Sequence, residues 1–174
     1  SIHGGTPWGA GHTTLGNDVM LLGSSHIGHD SQIGDDVVFT NGAMVAGHTQ
    51  VDEHSILGAM AGVHQHTRVG RCAMLGAGSM ASHDVPPFSM VQGDRARLVA
   101  GNLVGLRRLG FKSNQTAMVK RVYRLLFWRS GLLRDRIDGA RAFADGDPLA
   151  EEIFHFIEST NRGVCAPRDT RGFD

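Results

Sequence analysis

From Leu15 onward the chain places an apolar residue at every sixth position: Leu15, Leu21, Ile27, Ile33, Phe39, Val45, Val51, Leu57, Val63, Val69, Leu75 and Ala81. The fifth residue of each of these hexads is Val, Ser, Ala or Thr, and the second is often glycine. An amphipathic helix would repeat its apolar residues at three and four, and a half-buried strand would alternate at two. A strict six, with one large and one small inward site, predicts a parallel β-helix in which each hexad forms one short strand and a turn.

The rule resembles that of the left-handed β-helix folds, whose triangular coil takes three hexads. The fold class expected is therefore mainly β: a left-handed parallel β-helix of hexapeptide repeats over residues 1–88, followed by a C-terminal α-helical domain over 89–174. About four full coils and part of a fifth are expected. Ile2 and Trp8 extend the six-spacing backwards, with one extra residue breaking phase near Thr13–Thr14. Because the repeat is already running at Ile2, its first coil would present an unpaired edge. The reading favoured here is a chain that forms the C-terminal part of something longer.

Pro86-Pro87 cannot sustain ladder hydrogen bonds, so the coil is expected to stop there. A loop then leads to "GNLVGLRRLGF" at 101–111. Residues 113–133 read as a helix capped by Ser113, with Met118, Val122, Leu125, Leu126 and Trp128 on its apolar side. Further helices are expected over 134–144 and 147–160, and a frayed tail from Asn161. Arg107, Arg108, Lys112, Lys120, Arg121, Arg124 and Arg129 make the start of the helical part basic, a cluster suited to an acidic protein or a phosphate.

Stacking at 18 residues puts the hexads of Ile27, Val45, Val63 and Ala81 on one side of the prism. Their third positions form the column His29, Gly47, Gln65, His83, their fourth Asp30, His48, His66, Asp84, and His64 stands beside them. Three readings are open for this cluster. It can be a solvated turn, a zinc site with an open position for water, or an acid–base site in which a carboxylate orients a neutral imidazole.

Composition narrows the classes without deciding among them. Lys+Arg 17 balances Asp+Glu 17, so no global charge draws nucleic acid or an anionic membrane. No apolar run is long enough to span a bilayer, and no signal-peptide pattern opens the chain. Two cysteines, Cys72 and Cys165, are too few for a disulfide framework, and a cytoplasmic location is expected. Gly 24 with aromatics at only 6% fits a thin, repetitive core.

Read in order, "SHIGHD", "NGAMVAGH", "LGAMAGVHQH", "SHDVPPFSMVQGD", "NLVGLRRLGF" and "VYRLLFWRSG" are similar to the C-terminal two-thirds of the UDP-N-acetylglucosamine O-acyltransferase family, which opens lipid A biosynthesis. The resemblance implies transfer of a 3-hydroxyacyl group from acyl carrier protein to the sugar 3-hydroxyl of a UDP-sugar, without a cofactor or a metal. It implies His29 as general base, Asp30 as its orienting neighbour, and the Gly47 N–H as oxyanion donor. His26, His48, His64 and Gln65 fall on substrate-contacting positions, Asn102 and Arg108 on nucleotide-side positions, and Ala77 on the acyl-chain pocket. It further implies a homotrimer whose basic helices receive the carrier protein. Two positions depart from the family pattern: His66 replaces an aromatic residue, and Leu109 stands where a further arginine often occurs. A zinc-dependent hydratase of the carbonic-anhydrase type and a non-catalytic trimeric scaffold are the alternatives on the same fold.

Overall fold

The computed structural model describes residues 1–168. Two-residue strands recur every six residues: β1 (Thr14–Leu15), β2 (Met20–Leu21), β3 (His26–Ile27), β4 (Gln32–Ile33), β5 (Val38–Phe39) and β6 (Met44–Val45). They continue as β7 (Gln50–Val51), β8 (Ile56–Leu57), β9 (Gly62–Val63), β10 (Arg68–Val69), β11 (Met74–Leu75) and β12 (Met80–Ala81). Three parallel sheets result, β3-β6-β9-β12, β1-β4-β7-β10 and β2-β5-β8-β11, which we call faces A, B and C. Every ladder is in the 18-residue register read from the sequence, with Ile27 on Val45 and Val45 on Val63.

The hexad works because each position has one job. The first residue points inward, and Ile27, Phe39, Val45, Leu57, Val69 and Leu75 are fully buried. The fifth position must be small because it shares the narrow prism with the first, and Ser31, Ala43, Thr49, Ser55, Ala61 and Ala73 are buried there. Backbone carbonyls satisfy several of its hydroxyls, as in Thr49 Oγ1 to Ala46 at 2.8 Å and Ser55 Oγ to Gly70 at 3.0 Å, while the buried Thr67 hydroxyl has no partner among the described residues. The fourth position turns the corner in the left-handed region. From Asp18 to Cys72, every non-glycine residue there has φ between 53° and 62°, and Gly42 and Gly78 complete the series. That conformation costs an L-residue about 1–2 kcal/mol unless it is Gly, Asn or Asp.

Several expectations change. Six residues separate Ile27 from Ile33, but thirteen separate their partners Ile2 and Leu15, so the phase break is seven residues rather than one. Trp8 is therefore no inward residue; it lies in an external loop and is 83% exposed. The coil also continues past Pro86-Pro87. β13 (Ser89–Gln92) stacks parallel on β11, then pairs antiparallel with β14 (Arg97–Gly101), so the expected loop is a hairpin. The prolines occupy a corner, where Val85 still bridges Val69 and no ladder donor is needed from Pro86 or Pro87.

The helices follow as α1 (Leu103–Arg108), α2 (Ser113–Phe127), α3 (Leu133–Ala144) and α4 (Pro148–Glu158). Lys112, not Ser113, is the N-cap of α2, with Gln115 Oε1 accepting from its backbone N–H at 2.8 Å. α2 packs against β14 and the other helices with Val119, Val122, Tyr123 and Leu126 buried, and the Tyr123 hydroxyl donates to the Pro87 carbonyl at 2.5 Å. α4 is tied to face B: Arg71 reaches Glu152 at 2.6 Å, and Arg68 donates to the Phe156 carbonyl at 3.0 Å. The tail is not frayed from Asn161. Val164 bridges Asp84, Pro167 bridges Leu98 and Cys165 is buried, while residues 169–174 lie outside the described residues. Backbone pairing with the last coil holds this stretch, which composition alone does not reveal.

The turn rule predicts a graded effect at Met60, a corner residue with φ of 59° whose side chain is largely exposed. Met60→Asn should hold or raise stability, whereas β-branched Met60→Val should lower it by about 1–2 kcal/mol, read by urea denaturation.

Candidate active site

The corner joining face A to face B gathers the cluster anticipated from the period. Asp30 is a fourth-position residue, with φ of 57° and its side chain fully buried. Its carboxylate accepts from the Thr6 backbone N–H at 3.1 Å to each oxygen, from Thr6 Oγ1 at 2.7 Å and from the Gly11 N–H at 3.0 Å. His29 Nδ1 lies 2.8 Å from Asp30 Oδ2. Burial by itself would raise the Asp30 pKa, but the bonds from His29, Thr6 and Gly11 outweigh it and hold the carboxyl well below the usual range.

That ionisation settles the imidazole. An ionised carboxylate only accepts, so His29 Nδ1 must carry the hydrogen, and in the neutral ring Nε2 holds the lone pair. Nε2 faces Gly47: a Cβ built there would stand 2.6 Å from it. Glycine is thus required for the ring to occupy this place. The carbonyl of Gly47 accepts from the His66 N–H at 3.2 Å, while its own N–H has no partner among the described residues. A bare imidazole nitrogen and a free backbone donor therefore meet at one corner.

His48 follows Gly47, with Nε2 at 3.9 Å from Asp30 Oδ2 and its ring edge-on to His29 at 5.0 Å between centroids. His66 stacks on His48 at 4.6 Å and 7°, so the imidazole that departs from the family pattern still supplies a flat face. His26 and His64 line an adjoining groove of about 940 Å³ on face A with Met44, Met80, His83 and Arg162. Burial, then the neighbouring His3, lowers the His26 pKa. Gln65 stays exposed beside His64, and its carbonyl accepts from Arg162 Nη1 at 2.7 Å. Ala77 is exposed at the turn after β11 and does not line that groove.

Arg108 and Asn102, expected on the nucleotide side, lie elsewhere in this chain. Arg108 lines a separate groove of about 550 Å³ on face C, with Val38, Ile56, Met74, Met90 and Leu109. Asn102 borders it, but its amide is committed to the fold: Nδ2 donates to the Cys72 carbonyl at 3.0 Å, and Oδ1 caps α1 through the Gly105 N–H at 3.1 Å. Lys120, Arg121, Arg124 and Arg129 surround a third groove, floored by Leu103, Leu125 and Trp128. Thr6, Gly11 and Arg162 were missed from sequence. The phase break marked the loop that bears the first two, but its length was misread.

Donor atoms of His29, Asp30 and His48 all lie within 4.8 Å of one another, close enough to hold a metal ion. Yet both Asp30 oxygens already accept protein hydrogen bonds, and His29 turns Nδ1 to Asp30. A cation would have to displace those donors. The set suits a hydrogen-bonded pair better than a coordination sphere.

The depressed Asp30 pKa makes a linkage prediction. A carboxylate lowered in the folded state contributes stability that is complete above its unfolded value of 3.8 and lost as pH falls through the folded value. The Tm advantage of the native protein over Asp30→Asn should therefore be flat from neutral pH down to about pH 5 and shrink below about pH 4, as read by thermal denaturation.

Comparison with known proteins bears on the family and the fold. Residues 84–165 match the profile of UDP N-acetylglucosamine O-acyltransferase, domain 2, and residues 12–47 match six repeats of the bacterial transferase hexapeptide. Curated relatives named acyl-[acyl-carrier-protein]–UDP-N-acetylglucosamine O-acyltransferase include those of Syntrophobacter fumaroxidans, 45% identical over 166 residues, and Myxococcus xanthus, 37% identical over 164. Each alignment covers 94% of this chain, and the chain spans 64% of each relative's length. Among solved structures, UDP-N-acetylglucosamine acyltransferase of Francisella novicida superposes with a TM-score of 0.90 at 32% identity, covering 97% of this chain and 62% of that one. The Campylobacter jejuni enzyme gives 0.88 at 30%, covering 94% and 64%. With its hexapeptide coil and helical end matched over 94% of its length, the chain belongs to the UDP-N-acetylglucosamine O-acyltransferase family.

Proposed function

We propose that this chain carries the acyl-transfer site of an acyl-[acyl-carrier-protein]–UDP-N-acetylglucosamine O-acyltransferase, which moves a 3-hydroxyacyl chain onto the sugar 3-hydroxyl in the first step of lipid A biosynthesis. The carrying observation is the corner itself: His29 held by buried Asp30, with Nε2 against Gly47. In the reaction, Nε2 of His29 takes the sugar hydroxyl proton as the oxygen attacks the thioester carbonyl carbon. Asp30 stabilises the imidazolium that forms. The oxyanion of the tetrahedral intermediate accepts from the Gly47 N–H. Collapse breaks the C–S bond, and the proton on Nε2 passes to the departing thiolate. An activated thioester and a neutral base suffice, so this route uses no cofactor.

The remaining assignments follow from position. His26, His48, His64 and Gln65 border the corner and the face A groove and contact the acceptor sugar. Ala77, exposed at the turn after β11 and outside the face A groove, is assigned to the acyl-chain pocket from the resemblance alone. The face C groove receives the nucleotide side, with the Arg108 guanidinium, which has no ion pair among the described residues, toward phosphate and Asn102 acting by fixing the start of α1. A single prism holds this groove and the His29 corner on different sides. A homotrimer unites them between neighbouring subunits. The basic groove of Lys120, Arg121, Arg124 and Arg129 accepts the acidic carrier protein. Buried, unpaired Cys72 and Cys165 suit a reducing cytoplasm, and no helix among the described residues is long and apolar enough to cross a membrane.

Transfer of a radiolabelled 3-hydroxyacyl group from its carrier protein to UDP-N-acetylglucosamine tests the reading. His29→Ala should lower kcat by about 10²–10⁴-fold. Gly47→Ala should cost a similar factor while leaving circular dichroism unchanged, because its methyl would strike the His29 ring. Near-native turnover by His29→Ala would remove the assigned base.

A further inference from the structure

Ile2 bridges Ile27 and Leu15 pairs with Ile33, so the chain between them leaves the coil and returns one hexad later. Its feet are ordinary ladder bonds, His3 N–H to the Ile27 carbonyl at 2.9 Å and Thr14 N–H to Ser31 at 3.0 Å. Its tip buries no apolar anchor, since Trp8 is 83% exposed. Between feet and tip, the hydrogen bonds joining the loop to the coil run to the carboxylate of Asp30. The Thr6 N–H straddles both oxygens, the Gly11 N–H takes Oδ1 and the Thr6 hydroxyl takes Oδ2. A turn closed by the Gly9 N–H to the Thr6 carbonyl at 3.1 Å presses the backbone onto the group. A Cβ on Gly9 would stand 2.5 Å from Asp30 Cγ.

The consequence is geometric. An aspartate side chain turns about two bonds, and one whose oxygens were solvated would offer either of them to His29 in many orientations. Here both oxygens are pinned from the loop side, which leaves Oδ2 open toward His29 Nδ1 at 2.8 Å. We propose that the loop between Ile2 and Leu15 is a carboxylate clamp and that Thr6 is a positioning residue for acyl transfer: it holds Asp30 so that His29 keeps its hydrogen on Nδ1 and presents a bare Nε2. This deepens the acyltransferase reading and rests on it, because the value of a bare Nε2 lies in taking the sugar proton. Thr6 touches neither substrate nor the reacting atoms. It acts through Asp30.

Two measurements on the purified protein separate the clamp from the function. With ¹⁵N-labelled histidine, the native His29 should show a protonated Nδ1 and an unprotonated Nε2. In Thr6→Val the signal should move toward the opposite tautomer, and in Thr6→Ser it should stay native. In the acyl-transfer assay Thr6→Val should lower kcat by about 10–10²-fold with KM for the UDP-sugar changed by less than about two-fold, and Thr6→Ser should retain most of the rate. Gly9→Ala, which displaces the carboxylate without deleting a donor, should shift the His29 nitrogens the same way. An unchanged His29 pattern in both Thr6→Val and Gly9→Ala would overturn the clamp and leave the loop a structural appendage held by Asp30. Absence of acyl transfer by the native protein would instead sink the functional reading, while the nitrogen spectra would still decide whether Thr6 positions Asp30.

Discussion

Everything in this protein depends on a corner that must turn in the left-handed region every six residues. The fourth residue of each hexad accepts that conformation, so three short strands close a coil in 18 residues and every ladder keeps one register. The corner is costly for an ordinary side chain, and the chain meets it with Asp, Ser, His and Gly more often than with Met or Cys. Once the corners hold, the inward Ile, Val, Leu and Phe residues stack into a single column with small fifth-position residues beside them.

The same constraint builds the site. At a corner, side chains from successive coils approach one another outside the core, so a residue there gains neighbours from 18 residues away. Asp30 meets the turn requirement and also supplies the carboxylate, which is why the pair His29-Asp30 could arise without disturbing the repeat. Histidines 48 and 66 are turn residues as well, and their stacking follows from the coil spacing. His29 differs from them. It sits at a third position and is aimed by the carboxylate beside it.

The helical end does different work. α1 and α2 bring cations to two different grooves, while α4 is fastened to the coil. Arg68 and Arg71 are spent on fastening α4 to face B, each also lying over a phenylalanine ring, at 4.3 Å for Phe156 and 4.7 Å for Phe88. Arg108, Lys120 and Arg124 have no ion pair among the described residues and remain available in grooves. Asn102 shows how a residue can matter at a site without reaching it: its amide joins Cys72 in the coil to the first turn of α1, and so sets where Arg108 stands.

The sequence by itself determined the period, the inward column, the register of all three faces and the convergence of His29, Asp30, Gly47 and His48, because each follows from counting in sixes. It also carried the family resemblance, the helices over 133–144 and 148–158 to within two residues, and the start of the helix at Ser113, whose end at Phe127 comes six residues before the expected 133. Where the count failed, the tertiary structure decided. A seven-residue excursion conserves neither spacing nor polarity, so Trp8 passed for an inward residue, and the amides that clamp Asp30 were invisible because backbone donors leave no mark in a sequence. Continuation of the ladder beyond Pro86-Pro87 and the docking of Val164 to Pro167 depend likewise on backbone pairing between segments far apart in the chain. Periodicity reports which side chains share a face. Only the folded chain reports which main-chain groups meet them there.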